Sequence, residues 1–357
     1  MRERRVASGV AALLAAGFVC HAQPTPREGD FIVPEFSFPD GSHLEELKLH
    51  YRTLGRPVTD AAGHVKNAVL ILHGTGGTGK QFLSEQFADV LFQTGQPLDA
   101  GTHFLILPDD IGHGGSSKPS DGMRMKFPHY GYADMVHAEH ALVHDGLHVD
   151  HLLLVMGTSM GCMHSFLWGE MYPEEMDALM PLACLPVAIS GRNRMWRRAA
   201  MDAIEKDPMW RGGDYGAQPA GLRAAMSIEL IAVSSPLQWQ KLAPDGPSAD
   251  RAYEKMLDAR VGGVDANDLL YQLDSSRDYN PEPDLGKIQA ALTLVNSADD
   301  FVNPPELGIA PRLVQRVRRG RFVLVPISDE TRGHGTHTRA IVWKQYLVEL
   351  LKRAKQQ

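Results

Sequence analysis

Gly157-Thr158-Ser159-Met160-Gly161 directly follows an apolar run, Leu152-Leu153-Leu154-Val155-Met156, and precedes a helix-like stretch over 162–171. In that setting a G-x-S-x-G pentapeptide prescribes a sharp turn: a buried strand ends, the serine is lifted to the tip, and a helix leaves behind it. Glycines flank the serine because side chains there would clash in so tight a turn. The serine Oγ then lies at the positive end of a helix, where developing negative charge is favoured. Alone the pentapeptide is a weak signal. Its place after a strand, with partners in order downstream, gives it force.

The 357 residues, 43% of them hydrophobic, suffice for one large α/β domain with an insertion or for two smaller domains. Residues 1–22 read as a secretory signal: Arg2, Arg4 and Arg5 start it, 6–19 form a short apolar core, and Cys20-His21-Ala22 ends in a small residue. Such a core is too short to span a bilayer comfortably. Periplasmic or secreted localisation is therefore the expectation. Losing three Arg and one Glu with that segment takes the formal net charge from −7 to near −9, which argues against nucleic-acid or anionic-membrane partners. Cys162 and Cys184 would remain, both in apolar contexts, and buried free thiols are the expectation.

Strands fit 31–38, 44–54, 68–72, 103–107, 152–156, 179–184, 291–295 and 322–327, after a polar lead-in over 25–30. Helices fit 133–147 and 343–354. Strands alternating with helices imply a mostly parallel sheet covered on both faces. The core would comprise 23–186 and 290–357. Between them, 187–289 reads as helices broken by Gly212-Gly213, Pro244 to Pro247 and Gly262-Gly263: a helical cap over the sheet's carboxyl edge, where open α/β sheets bind ligands.

Serine is a poor nucleophile at neutral pH, so Ser159 needs a base and an orienting acid. In α/β-hydrolase topology the order is serine, acid, histidine. Asp300, with Asp299 as alternative, follows the next-to-last strand in the loop that runs to Pro304-Pro305. His334, with His337 as alternative, follows the last strand, and Gly333 and Gly335 leave its ring free to reach the serine. An oxyanion needs donors: the Met160 N–H just after the nucleophile, and Thr75 N–H in the turn His73-Gly74-Thr75-Gly76-Gly77.

Three other patterns carry less. Gly74 to Lys80 nearly spells a phosphate-binding loop, but Gln81 replaces the hydroxyl residue that would hold magnesium. His137, His140, His144 and His148 share a helical stripe with metal-permissive spacing, more often a solvated face. The glycine-rich loop 110–119 brings His113 to the pocket or, as the plainer reading, merely shapes the turn.

From about Leu44 to Leu350 the chain resembles the homoserine O-acetyltransferase family of α/β-hydrolase proteins. The resemblance rests on Phe127-Pro128 through Asp134-Met135-Val136, on 157–163, on Ala203-Ile204 with Asp207-Pro208-Met209-Trp210 and Gly213-Asp214-Tyr215, and on 265–271. It implies an α/β-hydrolase fold with an inserted helical cap, the triad Ser159, Asp300 and His334, and a homodimer through the cap. Two departures stand out. The turn at 73–77 is richer in glycine and looks more like an esterase's. Met201 stands where an arginine for an amino-acid carboxylate is expected, with Arg192, Arg194, Arg197 and Arg198 nearby.

The expectation is an exported serine hydrolase of a small carboxylic ester or thioester, requiring no metal or organic cofactor. The cap residues Met195, Trp196, Met201, Met209, Trp210 and Met226 would give its pocket an apolar wall. An O-acyltransferase with the same triad is the alternative, and a non-catalytic binding protein on the same scaffold a more distant one.

Overall fold

A computed structural model describes residues 25–356; the signal-like segment 1–22 lies outside the described residues. Eight strands, β1 (Arg27–Ser37), β2 (His43–Leu54), β3 (Ala68–Leu72), β4 (Phe104–Pro108), β5 (Leu154–Thr158), β6 (Ala178–Leu182), β7 (Ala291–Ser297) and β8 (Gly320–Val325), form one sheet in the order β1-β2-β4-β3-β5-β6-β7-β8. β1 and β2 pair antiparallel with each other and β2 pairs antiparallel with β4; the pairs from β4 to β8 are parallel.

Every residue of β3, β4, β5, β6 and β7 is buried, as continuous apolar runs in a doubly covered parallel sheet require. The pleat divides them. Leu70, Leu72, Ile106 and Val155 face one hydrophobic cluster, while Val69, Ile71, Leu105 and Met156 face the other. The first cluster is closed by helices α2 (Tyr132–Ala141) and α3 (Met160–Met171), the second by α1 (Glu85–Leu91) and α10 (Ala340–Ala354). α1 escapes a sequence reading because it is only 7 residues long and lies among turns.

Boundaries differ from the sequence expectation where pairing decides them. The polar lead-in is strand from Arg27 onward: β1 is an edge strand, so its charged residues need only backbone partners on β2. The helix expected over 133–147 gives way after Ala141 to a wider π turn, Leu142–Gly146. The two cysteines are not free thiols. Cys162 on α3 and Cys184 just beyond β6 are joined in a disulfide, with Cα atoms 5.9 Å apart. Apolar surroundings suit a buried disulfide as well as a buried thiol, and only the approach of the two elements distinguishes them.

Between β6 and β7 lie α4 (Gly191–Glu205), α5 (Ala220–Val233), α6 (Pro236–Leu242), α7 (Gly246–Val261) and α8 (Ala266–Asp274); a short α9 (Ile309–Leu313) follows β7. α4, α5, α7 and α8 enclose their own apolar cluster, including Met201, Ile204, Leu222 and Leu269. Asp265 caps α8 by accepting the Asn267 and Asp268 N–H groups. α8 is also fastened to the core: Asp268 accepts from Ser120 N–H and Oγ–H at 2.8 and 2.6 Å, and Gln272 donates to the Gly112 carbonyl at 2.7 Å.

Candidate active site

Ser159 has φ 55° and ψ −104°, a conformation that side chains rarely adopt, and it marks the sharp turn between β5 and α3. The turn is held from both sides. Ser159 N–H donates to the Leu182 carbonyl and Gly161 N–H to the His73 carbonyl, each at 2.8 Å. The flanking glycines are obligatory for space: a Cβ on Gly157 would lie 2.1 Å from the Gly161 carbonyl oxygen, and one on Gly161 2.2 Å from that of Leu72.

Three side chains remote in sequence meet at this turn. His334 Nε2 lies 2.8 Å from Ser159 Oγ, and His334 Nδ1 lies 2.9 Å from Asp300 Oδ2. Asp300 is 1% exposed and accepts further bonds from the N–H groups of Val302 and Asn303 and from the Asn303 side chain. Burial pushes its pKa up, but the imidazole beside it and these hydrogen bonds prevail, so the carboxyl is held below its ordinary value. It therefore stays ionised and can stabilise an imidazolium.

The two sequence alternatives are placed elsewhere. Asp299 accepts from Gly333 N–H at 2.9 Å and from Ser297 Oγ–H at 2.5 Å, so it grips the histidine's loop rather than its ring. His337 packs edge-on against His334, with ring centroids 5.2 Å apart. Burial, then the neighbouring His334, depress its pKa to about 3, which keeps it neutral. Asn303, which bridges Asp300 and the Ala183 carbonyl, is a support that sequence reasoning missed. Its one signal was its place between Asp300 and Pro304.

Thr75 lines the same cavity as Ser159, and a Cβ on the preceding Gly74 would lie 3.3 Å from Ser159 Cβ. Among the described residues, no hydrogen-bond acceptor takes the Thr75 or Met160 N–H. The arrangement thus offers a polarisable hydroxyl, a base, an orienting acid and two free amides around one point.

The cavity over Ser159 measures about 790 Å³. Its apolar wall is not the one expected. Of the six cap residues, Trp196 alone lines it; Met201 and Met226 are buried in the cap's own core with Trp210 packed against them, and Met195 and Met209 are exposed. Leu230, Val233, Trp239, Leu242 and Met256 take the role instead. Of the four nearby arginines only Arg197 turns into the cavity, 2% exposed and over the Trp196 ring. Glu229 shares the wall; burial raises its pKa, opposed by Arg260 and Arg197.

The phosphate-loop lookalike is occupied by the protein itself, since Asp109 accepts the Gly79 N–H at 2.8 Å. The histidine stripe is divided among partners: His137 with Tyr172, His140 with Glu175 and His144 with Asp145. The ring of His113 is buried, its Nδ1 bonded to the Ile111 carbonyl, and shapes its own loop. Among the described residues the group with atoms close enough to share an ion is Asp110, Glu139 and His164. There Glu139 already accepts from His164 at 2.7 Å and Trp168 at 2.5 Å.

Residues 67–323 match the alpha/beta hydrolase fold family. The chain is 28% identical over 307 residues to a probable acyltransferase of Methanothermobacter thermautotrophicus, covering 85% of this chain and 91% of that protein. It is 33% identical over 264 residues to a homoserine O-acetyltransferase of Caulobacter vibrioides, covering 65% of this chain and 67% of the relative. Other homoserine O-acetyltransferases are matched over about half their length, 49% and 56% in two cases. The fold is also that of an acetylester hydrolase from Corynebacterium glutamicum, at TM-score 0.79 and 19% identity, covering 91% of this chain and 96% of that one. A doubly covered sheet, a serine at its strand-to-helix turn and these likenesses converge: the chain belongs to the α/β-hydrolase family, in its homoserine O-acetyltransferase-like group.

Proposed function

We propose that this chain hydrolyses a small carboxylic ester or thioester through an acyl-enzyme on Ser159. The observation that carries the reading is the continuous hydrogen-bonded line from Ser159 Oγ through His334 to buried, ionised Asp300 at the floor of the cavity. Ser159 Oγ attacks the carbonyl carbon while His334 Nε2 takes its proton; Asp300 holds the imidazole in register and balances its charge. The Thr75 and Met160 amides receive the oxyanion, His334 protonates the departing alcohol, and the same histidine then activates water against the acyl-enzyme. Every proton has a donor and an acceptor among these groups, so the scheme calls for no metal or organic cofactor.

Export to the periplasm or medium accompanies this proposal. The Cys162–Cys184 disulfide supports it, because such bonds persist in oxidising compartments. Acyl transfer is the second reading, favoured by the names of the relatives. In it a bound alcohol rather than water deacylates Ser159; an acyl-CoA donor, being cytosolic, fits an exported chain poorly.

A series of p-nitrophenyl esters of increasing acyl length, with the protein lacking residues 1–22, tests the reading. Hydrolysis lost in Ser159→Ala is expected. A rate that depends on an added acceptor alcohol, with little release in water alone, would establish transfer instead. Absence of fluorophosphonate labelling at Ser159 would leave only a binding role.

A further inference from the structure

Among the described residues, three buried polar atoms at or behind the wall of the Ser159 cavity make no hydrogen bond: Thr75 Oγ1, Tyr132 OH and Arg197 Nη1. A buried polar group left without a partner calls for an explanation. Here all three are neighbours. Tyr132, wholly buried at the start of α2, has a phenol that burial pushes up, opposed by the Arg197 charge and by the Thr75 hydroxyl. Thr75 and Arg197 both line the cavity that holds Ser159.

The chemistry of the three groups gives the row a direction. A guanidinium has donors only, so it can only donate to the phenol oxygen. The phenol then has its own proton to pass towards Thr75 Oγ1. An Oγ1 lone pair turned towards the phenol in that way would leave the threonine proton for an acceptor in the cavity. The residue adjacent to Thr75 approaches Ser159 so closely that the acceptor within reach is the carbonyl oxygen of the group Ser159 attacks.

Resting on the acyl-enzyme reading above, we infer that the Thr75 hydroxyl is a third oxyanion donor, with Tyr132 and Arg197 as the positioning residues that aim it. As the Ser159 Oγ–carbon bond forms, the carbonyl π pair moves onto oxygen and the proton of Ser159 passes to His334. Thr75 keeps its own proton and strengthens its hydrogen bond as the charge grows. An interaction stronger in the transition state than in the ground state raises kcat rather than lowering KM.

The test is the second-order rate of Ser159 phosphonylation by a fluorophosphonate, with kcat and KM for p-nitrophenyl acetate alongside, in Thr75→Val, Thr75→Ser and Tyr132→Phe. Valine keeps the amide, the shape and the branched Cβ and removes only the hydroxyl. The expected result is a fall of about 100-fold in labelling rate and kcat for T75V, KM nearly unchanged, and recovery in T75S. Tyr132→Phe should show a smaller fall, and T75V/Y132F should be no slower than T75V. Labelling of T75V within twofold of the parent, or T75S as slow as T75V, overturns the inference. Because labelling needs no cognate ester, normal labelling without ester turnover would count against the hydrolase reading while still deciding this one. A parent chain unlabelled at Ser159 would sink both. Thermal unfolding of each variant shows whether it is folded.

Discussion

Asp299 accepts the Gly333 N–H at 2.9 Å while its neighbour Asp300 takes the His334 ring at the same distance. Two adjacent carboxylates thus divide one task. One holds the backbone of the histidine loop, at a glycine with φ +60°, and the other holds the imidazole that this backbone presents.

That division predicts unequal losses. Asp300→Asn leaves the geometry but favours the wrong histidine tautomer, and kcat for ester hydrolysis should fall about 10⁴-fold. Asp299→Ala removes the grip on the loop but not the charge at the ring. Its kcat should fall about 10-fold through misplacement, with a lowered Tm. Steady-state kinetics and thermal unfolding of the two variants check this; equal losses would refute it.

Gly161→Ala tests the turn itself. Alanine favours a helix over glycine by up to about 1 kcal/mol, and Gly161 lies in the first turn of α3. Against this stands a Cβ 2.2 Å from the Leu72 carbonyl oxygen, backbone that cannot swing aside. The clash should win, with a net destabilisation of about 3 kcal/mol in urea unfolding.

Reducing the Cys162–Cys184 bond, whose cysteines are 22 residues apart, should cost about 3 kcal/mol, most of it from the freed unfolded chain. The double variant Cys162→Ala/Cys184→Ala should unfold at correspondingly lower urea. The intact protein lacking residues 1–22 should show no thiol to Ellman's reagent until it is reduced.

His337 makes the fold sensitive to acid. Its folded pKa of about 3 is below the ordinary 6.5, so the unfolded chain binds the proton more readily. The associated stability is complete above pH 6.5 and drains away as pH falls towards 3. His337→Phe should flatten the decline in Tm between pH 7 and pH 4, as differential scanning calorimetry would show. An unchanged decline would place the acid sensitivity elsewhere.

How legible these features were depended on how far apart their causes lie. The turn at Ser159 could be read because strand, glycines and helix are contiguous. His334 and Asp300 could be narrowed to two candidates each from topological order. The sequence favoured Asp300 over Asp299, but what Asp299 does instead depends on side-chain directions set by the loop's full path. The cap wall was misjudged for a similar reason. Met195 and Met209 look apt by composition, but the rotation and packing of the helices expose them and turn Leu230 and Trp239 inward.

From its order of residues alone, the chain determined an alternating strand-and-helix sheet and a serine at the turn after a buried strand, because both follow from local periodicity and steric rules. Tertiary structure decided what distant segments do to one another: that Cys162 meets Cys184, that Asp299 grips a loop, and that Arg197 faces the cavity while its neighbours do not. Such contacts depend on the relative placement of elements tens of residues apart, set by packing of the whole core rather than by any one segment.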